Sequence, residues 1–194
     1  MSTINTDDLY VSSSVKGSYF NKIIDCETKK HSRWVEVALK CLPKVIFSEL
    51  KSNLAIIEVN NIAACRLAAA QRSCEVIILT GYIFPPEGRT LLDEEAVQKK
   101  GVRSFLMIVL HEIAHAYKMH KSCKYDGITK KENNHQEDEA NRLAVDWLNE
   151  YLGSIGYEKY SFSIEEIQAY IDNIVEFNKR RRGSQFSHWS GRAE

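Results

Sequence analysis

Residues 101–120 read GVRSFLMIVLHEIAHAYKMH, and the fold class turns on this stretch. Val102, Phe105, Leu106, Val109, Ile113 and Ala116 recur at helical spacing. Their apolar stripe is wide enough for a buried helix from Gly101 to about His120. Set into it is His111-Glu112-Ile113-Ala114-His115, an H-E-x-x-H pattern. Residues four apart share a helix face one turn along. Two imidazoles so placed can converge on one metal ion, zinc by preference, at roughly 2.0–2.1 Å. Glu112 then sits beside the ion, able to take a proton from water bound there and hand it to a leaving group. His111 lies among Met107, Val109, Leu110 and Ala114, which is unlike a solvated face.

A catalytic zinc site needs a third protein ligand and an open position for water. The segment His135-Gln136-Glu137-Asp138-Glu139-Ala140-Asn141 offers the ligand. It belongs to a second helix, predicted to start with Asn133 or Asn134 as cap, so that Glu137, Asp138 and Glu139 lie near its positive end. The core face is Ala140, Leu143, Ala144, Trp147, Leu148 and Tyr151, and Gly153 and Gly156 end the helix. Glu137 shares a face with Ala140, Asn141 and Ala144 and points inward, where a lone carboxylate is costly without a cation. Glu139, about 200° further round, is expected to face outward. Asn141 is placed to accept the second ring proton of a ligating histidine, His111 by preference, which fixes its tautomer. His120 is about 180° from His111 if the helix continues, and is expected at the surface. His120 or His135 bound as a fourth ligand would instead close the site and make it structural. The donors considered for a developing oxyanion are Tyr82, Tyr117, His120, Tyr125 and His135, with Tyr117 expected to face away.

Elsewhere the chain alternates short elements. Trp34, Val37, Ala38, Cys41, Leu42, Val45, Ile46 and Leu50 predict a helix that Pro43 kinks or divides. Leu54–Val59 reads as a strand ended by Asn60 and Asn61. Cys74–Leu79 is a second strand. The ambiguous Ile62–Ala70 is read as the first arm of a hairpin turning at Gln71–Ser73. Pro85, Pro86 and Gly88 break the chain before a short helix over Leu91–Lys100 with Asp93 as cap. Ser163 and Glu166 form a capping-box pattern for a last helix to Phe177. These elements define an α+β domain over 31–177, with a small mixed sheet packed on the H-E-x-x-H helix and the glutamate helix. Residues 1–30 read as a polar arm and 178–194 as a disordered basic tail.

His-Glu-Ile-Ala-His followed by Glu137-Asp-Glu-Ala-Asn-Arg-Leu-Ala144 resembles the gluzincin metallopeptidases, whose third ligand comes from E-x-x-A-[DN] on a later helix. The form with Asn is most similar to the ImmA/IrrE family, small soluble zinc proteases of which several act on regulatory repressor proteins. The likeness runs from Glu75 to Trp147. It implies a minimal zincin-like fold, one zinc ion held by His111, His115 and Glu137, and Glu112 as base. It also implies that strand Glu75–Leu79 lies above the zinc and pairs with extended substrate. The first 70 residues match no pattern of the family, and no helix-turn-helix or sensor module accompanies the core.

The 194 residues hold 44% apolar and 27% charged side chains, so global disorder is not expected. With 26 basic and 26 acidic residues the net charge is zero, which disfavours a globally basic nucleic-acid binder. Lys179–Arg182 reads as a solvated end; nucleic-acid docking through it is a third reading, tested by salt dependence. Cys26, Cys41, Cys65, Cys74 and Cys123 are odd in number and lack C-x-x-C spacing, as expected of reduced thiols in a cytoplasmic protein. No apolar run is long enough for a membrane helix, and the N-terminus lacks a signal-peptide plan. The expected function is zinc-dependent hydrolysis of peptide bonds in a protein substrate. The alternative is a non-catalytic zinc-binding regulatory or interaction module with a peptidase-like fold.

Overall fold

The structure is a computed structural model that describes residues 24–26, 29–59, 65–67, 75–81, 83–85, 100–121, 126–161, 163–173 and 176. The order is β1 (Ile24–Asp25), α1 (Lys29–Lys40), α2 (Lys44–Leu50), β2 (Leu54–Val59), β3 (Cys65–Leu67), β4 (Glu75–Thr80), α3 (Lys100–Tyr117) and α4 (Lys130–Ser154). Helical residues 164–173 (α5) follow. Helices and a mixed sheet make this an α+β arrangement. Among the described residues no helix is long and apolar enough to cross a membrane.

Pro43 divides its helix. It cannot supply an N–H inside a helix, so α1 closes at Cys41 and Leu42 by bonds to Ala38 and Leu39, and Pro43 becomes the N-cap of α2. The strands run in the order β1-β2-β4-β3, with β1 parallel to β2, β2 parallel to β4 and β3 antiparallel to β4. β3 is thus the first arm of a hairpin with β4. Its turn, Gln71–Ser73, lies outside the described residues, as do the proposed helix before Lys100, most of the N-terminal arm and the basic tail.

Two sheet expectations are corrected. Ile24–Asp25, inside the stretch read as a polar arm, is an edge strand, and Ile24 is buried. The middle of strand Glu75–Leu79, Val76–Ile78, does not offer an edge to substrate, because there β4 is paired with β2 on one side and β3 on the other. Val76 to Thr80 are all buried, as a strand covered on both faces requires.

α3 forms the centre of the core. Val102, Phe105, Leu106, Val109, Leu110, Ile113 and Ala114 are each 1% exposed or less. Phe105 packs against Trp34 of α1 and against Phe84, which follows β4. α4 lies along α3, and Ala140 and Ala144, one turn apart and fully buried, give it a narrow face there. α5 reaches the same region, where the Tyr170 hydroxyl donates to the Ile83 carbonyl at 2.8 Å.

Both site-bearing helices have an end that differs from expectation. α4 begins at Lys130, a turn before Asn133. Thr129 caps it, its Oγ1 accepting from the Glu132 N–H while Glu132 Oε2 accepts from the Thr129 N–H, a complete capping box. Glu137–Glu139 therefore lie about two turns inside, beyond the reach of the helix dipole. α3 ends at Tyr117 in a Schellman turn: the Met119 N–H bonds to the Ala116 carbonyl and the His120 N–H to the His115 carbonyl. The left-handed residue is Met119 (φ 54°) in place of the usual glycine, at a cost of roughly 1–2 kcal/mol. α4 closes in the same way, on Gly156 (φ 81°).

Candidate metal centre

His111 and His115 sit one turn apart on α3, and Glu137 faces them from α4. His111 Nε2 is 2.9 Å from His115 Nε2, and Glu137 Oε2 is 3.2 Å from the first and 3.6 Å from the second. Among the described residues these three form the His/Cys/Asp/Glu group able to hold a metal ion. The histidine side chains are 20% and 13% exposed, that of Glu137 45%. The group opens to solvent on the glutamate side, so the inward position predicted for Glu137 holds only as a direction toward the histidines.

Hydrogen bonding fixes where the ring protons lie. His111 Nδ1 is 2.8 Å from Asn141 Oδ1, an acceptor, so Nδ1 carries the proton and Nε2 keeps its lone pair. This is the role expected of Asn141. His115 Nδ1 is 2.8 Å from His120 Nδ1. With both Nδ1 atoms engaged, two Nε2 atoms and a carboxylate oxygen converge on one point, and only a positive charge there makes that favourable. A proton on an Nε2 is one such charge and a metal ion the other.

The titration behaviour follows from the same crowding. Burial is the largest single influence on His111 and opposes its charge. The Glu137 hydrogen bond, the negative charges of Glu112 and Glu137 and the Asn141 hydrogen bond outweigh it, holding its pKa above the ordinary imidazole value. Hydrogen bonds from His111 and then His115 hold the Glu137 carboxyl far below the usual carboxylate range.

The other predicted positions separate. Glu112 follows His111, is partly exposed, and acts on it through its negative charge. His120 is not at the surface: the Schellman turn folds it back beneath His115, leaving it 8% exposed. Its Nδ1 meets His115 Nδ1, the ring atom away from the Glu137 side, so it is placed behind His115 and outside the group of three. Glu139 does not face outward. Its Oε1 pairs with Lys118 Nζ at 2.8 Å and its Oε2 with His120 Nε2 at 3.0 Å, and these contacts, Lys118 first, bring its pKa down to about 2. Tyr117 stacks edge-on against Trp147, away from the group, as expected. His135 is exposed, two residues before Glu137 and so on another side of α4. Tyr82 and Tyr125 lie outside the described residues. Cys41 is a buried thiol donating to the Val37 carbonyl, its pKa pushed up by burial, and neither it nor the partly exposed Cys26 is in a disulfide.

The contacts of His120 and Glu139 were not foreseen. The signal missed was the end of α3, where no glycine marks the turn. Compared with known proteins, the chain matches no family model, no curated protein and no solved structure.

Proposed function

We propose that the protein is a zinc metallopeptidase with a minimal zincin-like core, related in its motif to the gluzincins and most nearly to the ImmA/IrrE family. The observation that carries this reading is the convergence of His111 Nε2, His115 Nε2 and Glu137 Oε2 at 2.9, 3.2 and 3.6 Å. A tetrahedral zinc ion with bonds of roughly 2.0–2.1 Å spaces its ligands about 3.4 Å apart. Nitrogen and carboxylate donors suit that ion, and three ligands with an exposed side fit a catalytic site better than a closed structural one.

A zinc ion so held would polarise a scissile carbonyl and make water a better acid. His111 and His115 present their Nε2 lone pairs through tautomers fixed from behind, and Glu137 closes the triangle. Glu112, next to His111, takes the proton of the attacking water and returns it to the departing amine. β3 is the edge strand on the β4 side of the sheet and lies against α3, so an extended peptide would add beside β3 rather than β4. The substrate is a protein or peptide, a regulatory protein by the motif likeness, and the place of action is the cytoplasm. Neither a membrane nor nucleic acid is required.

The test is removal of the metal. Chelation should abolish cleavage of an unfolded protein substrate such as labelled casein, and one equivalent of zinc should restore it. Acid should also release the ion, because the raised pKa of His111 means that its nitrogen begins to take up a proton above the ordinary imidazole value near 6.5, and each pH unit below that pKa costs this ligand about tenfold in affinity. Cleavage that survives complete removal of metal contradicts the proposal.

A further inference from the structure

The end of α3 carries a line of polar contacts that the hydrolytic scheme leaves unused. It runs from His115 Nδ1 to His120 Nδ1 (2.8 Å), from His120 Nε2 to Glu139 Oε2 (3.0 Å), and from Glu139 Oε1 to Lys118 Nζ (2.8 Å). His120 is buried, and it reaches His115 only because Met119 takes a left-handed conformation without being glycine. Met119 itself is 74% exposed, so no packing of its side chain accounts for that conformation.

We propose that His120 and Glu139 are positioning residues that set the tautomer and ring direction of His115 for metal binding; this rests on the metal-site reading of His111, His115 and Glu137. Glu139 is ionised beside Lys118 and can only accept. A neutral His120 therefore donates from Nε2, and its Nδ1 is left as an acceptor. The Nδ1 of His115 that faces it must donate, which leaves the His115 Nε2 lone pair on the side of His111 and Glu137. The two ligand histidines are thus set by different means. His111 leans on a neutral amide, Asn141, from α4. His115 leans on an imidazole from its own helix end, anchored to α4 through a carboxylate. Alternate residues of α4 supply the ligand (Glu137), the anchor of one histidine (Glu139) and the partner of the other (Asn141).

The test uses the full chain and zinc chloride. Zinc affinity is measured by calorimetric titration for the wild type, His120→Ala, His120→Asn and Glu139→Ala, with far-ultraviolet circular dichroism of each metal-free form. His120→Ala should weaken zinc binding about 10–100-fold. His120→Asn puts an amide oxygen near the lost Nδ1, as Asn141 does for His111, and should recover most of that loss. A role in packing alone would not show this recovery. Glu139→Ala, at a partly exposed position outside the apolar core, should weaken binding in the same direction while retaining the helical signal. In the zinc-loaded wild type, long-range proton–nitrogen spectra should show His115 protonated at Nδ1 and His120 at Nε2. A wild type that binds zinc while His120→Ala binds it equally well overturns the positioning role alone, as does a proton on His120 Nδ1. A wild type that binds no zinc overturns the metal reading as well.

Discussion

Glu112→Gln should keep the fold and the zinc ion but lower peptide hydrolysis about 10²–10⁴-fold, the range over which a positioned general base acts. The substitution is nearly isosteric. It changes no proposed ligand and none of the groups behind the ligands: Asn141 contacts the His111 ring, His120 the His115 ring, and Glu139 the His120 ring. What it removes is the one carboxylate of α3 that lies beside the metal triangle. It also removes a negative charge that favours either positive occupant of the site, a proton on His111 or a metal ion, so zinc affinity should fall slightly. Measured zinc content and kcat for the same preparation separate the two effects. Unchanged kcat at full zinc occupancy would mean that another group moves the proton.

The largest expected loss of stability is at Phe105→Ala. Phe105 has no exposed surface and joins three parts of the fold. Its ring meets Trp34 edge-on with centroids 6.4 Å apart, and Phe84 at 5.1 Å. Phe84 in turn stacks on His31 at 4.1 Å, whose Nδ1 lies 2.9 Å from both oxygens of Glu58. Truncation leaves a cavity between α1, α3 and the segment after β4 that rigid aromatic neighbours cannot fill. The cost for a buried phenylalanine is about 3–5 kcal/mol. For a chain of this size that lowers Tm by roughly 6–20 °C. Thermal unfolding of the metal-free protein measures it directly, and a drop of only a degree or two would mean that the core closes over the gap.

Helix α3 was legible because its signals are local and agree with one another. The apolar stripe, the i and i+4 histidines and the one-turn spacing of Glu137 and Asn141 all follow from 3.6 residues per turn. They place both ring partners of His111 before any tertiary contact is known. Pro43 was equally plain, since its missing N–H must end a helix. The failures came where an outcome depends on a distant partner or an atypical residue. Whether a strand is central or at an edge is decided by its neighbours, although the unbroken apolar run Val76–Leu79 is itself a sign of burial on both faces. The start of α4 was misplaced because Asn133 and Asn134 are good caps in isolation, while Thr129 and Glu132 form the stronger reciprocal pair. The end of α3 was misplaced because methionine stands where a glycine would have marked the turn, and that error moved His120 from under His115 to the solvent. Glu139 was lost with it, since the outward direction assigned to it took no account of Lys118 and His120 beyond the end of α3.

In the proposed function three side chains hold one zinc ion. The most direct test is zinc stoichiometry and affinity, by titration of the metal-free chain, for the wild type and Glu137→Ala. One zinc per wild-type chain, with binding lost in Glu137→Ala, is the predicted result. A wild type that takes up no zinc, or a Glu137→Ala chain that binds it as tightly as the wild type, would contradict the account.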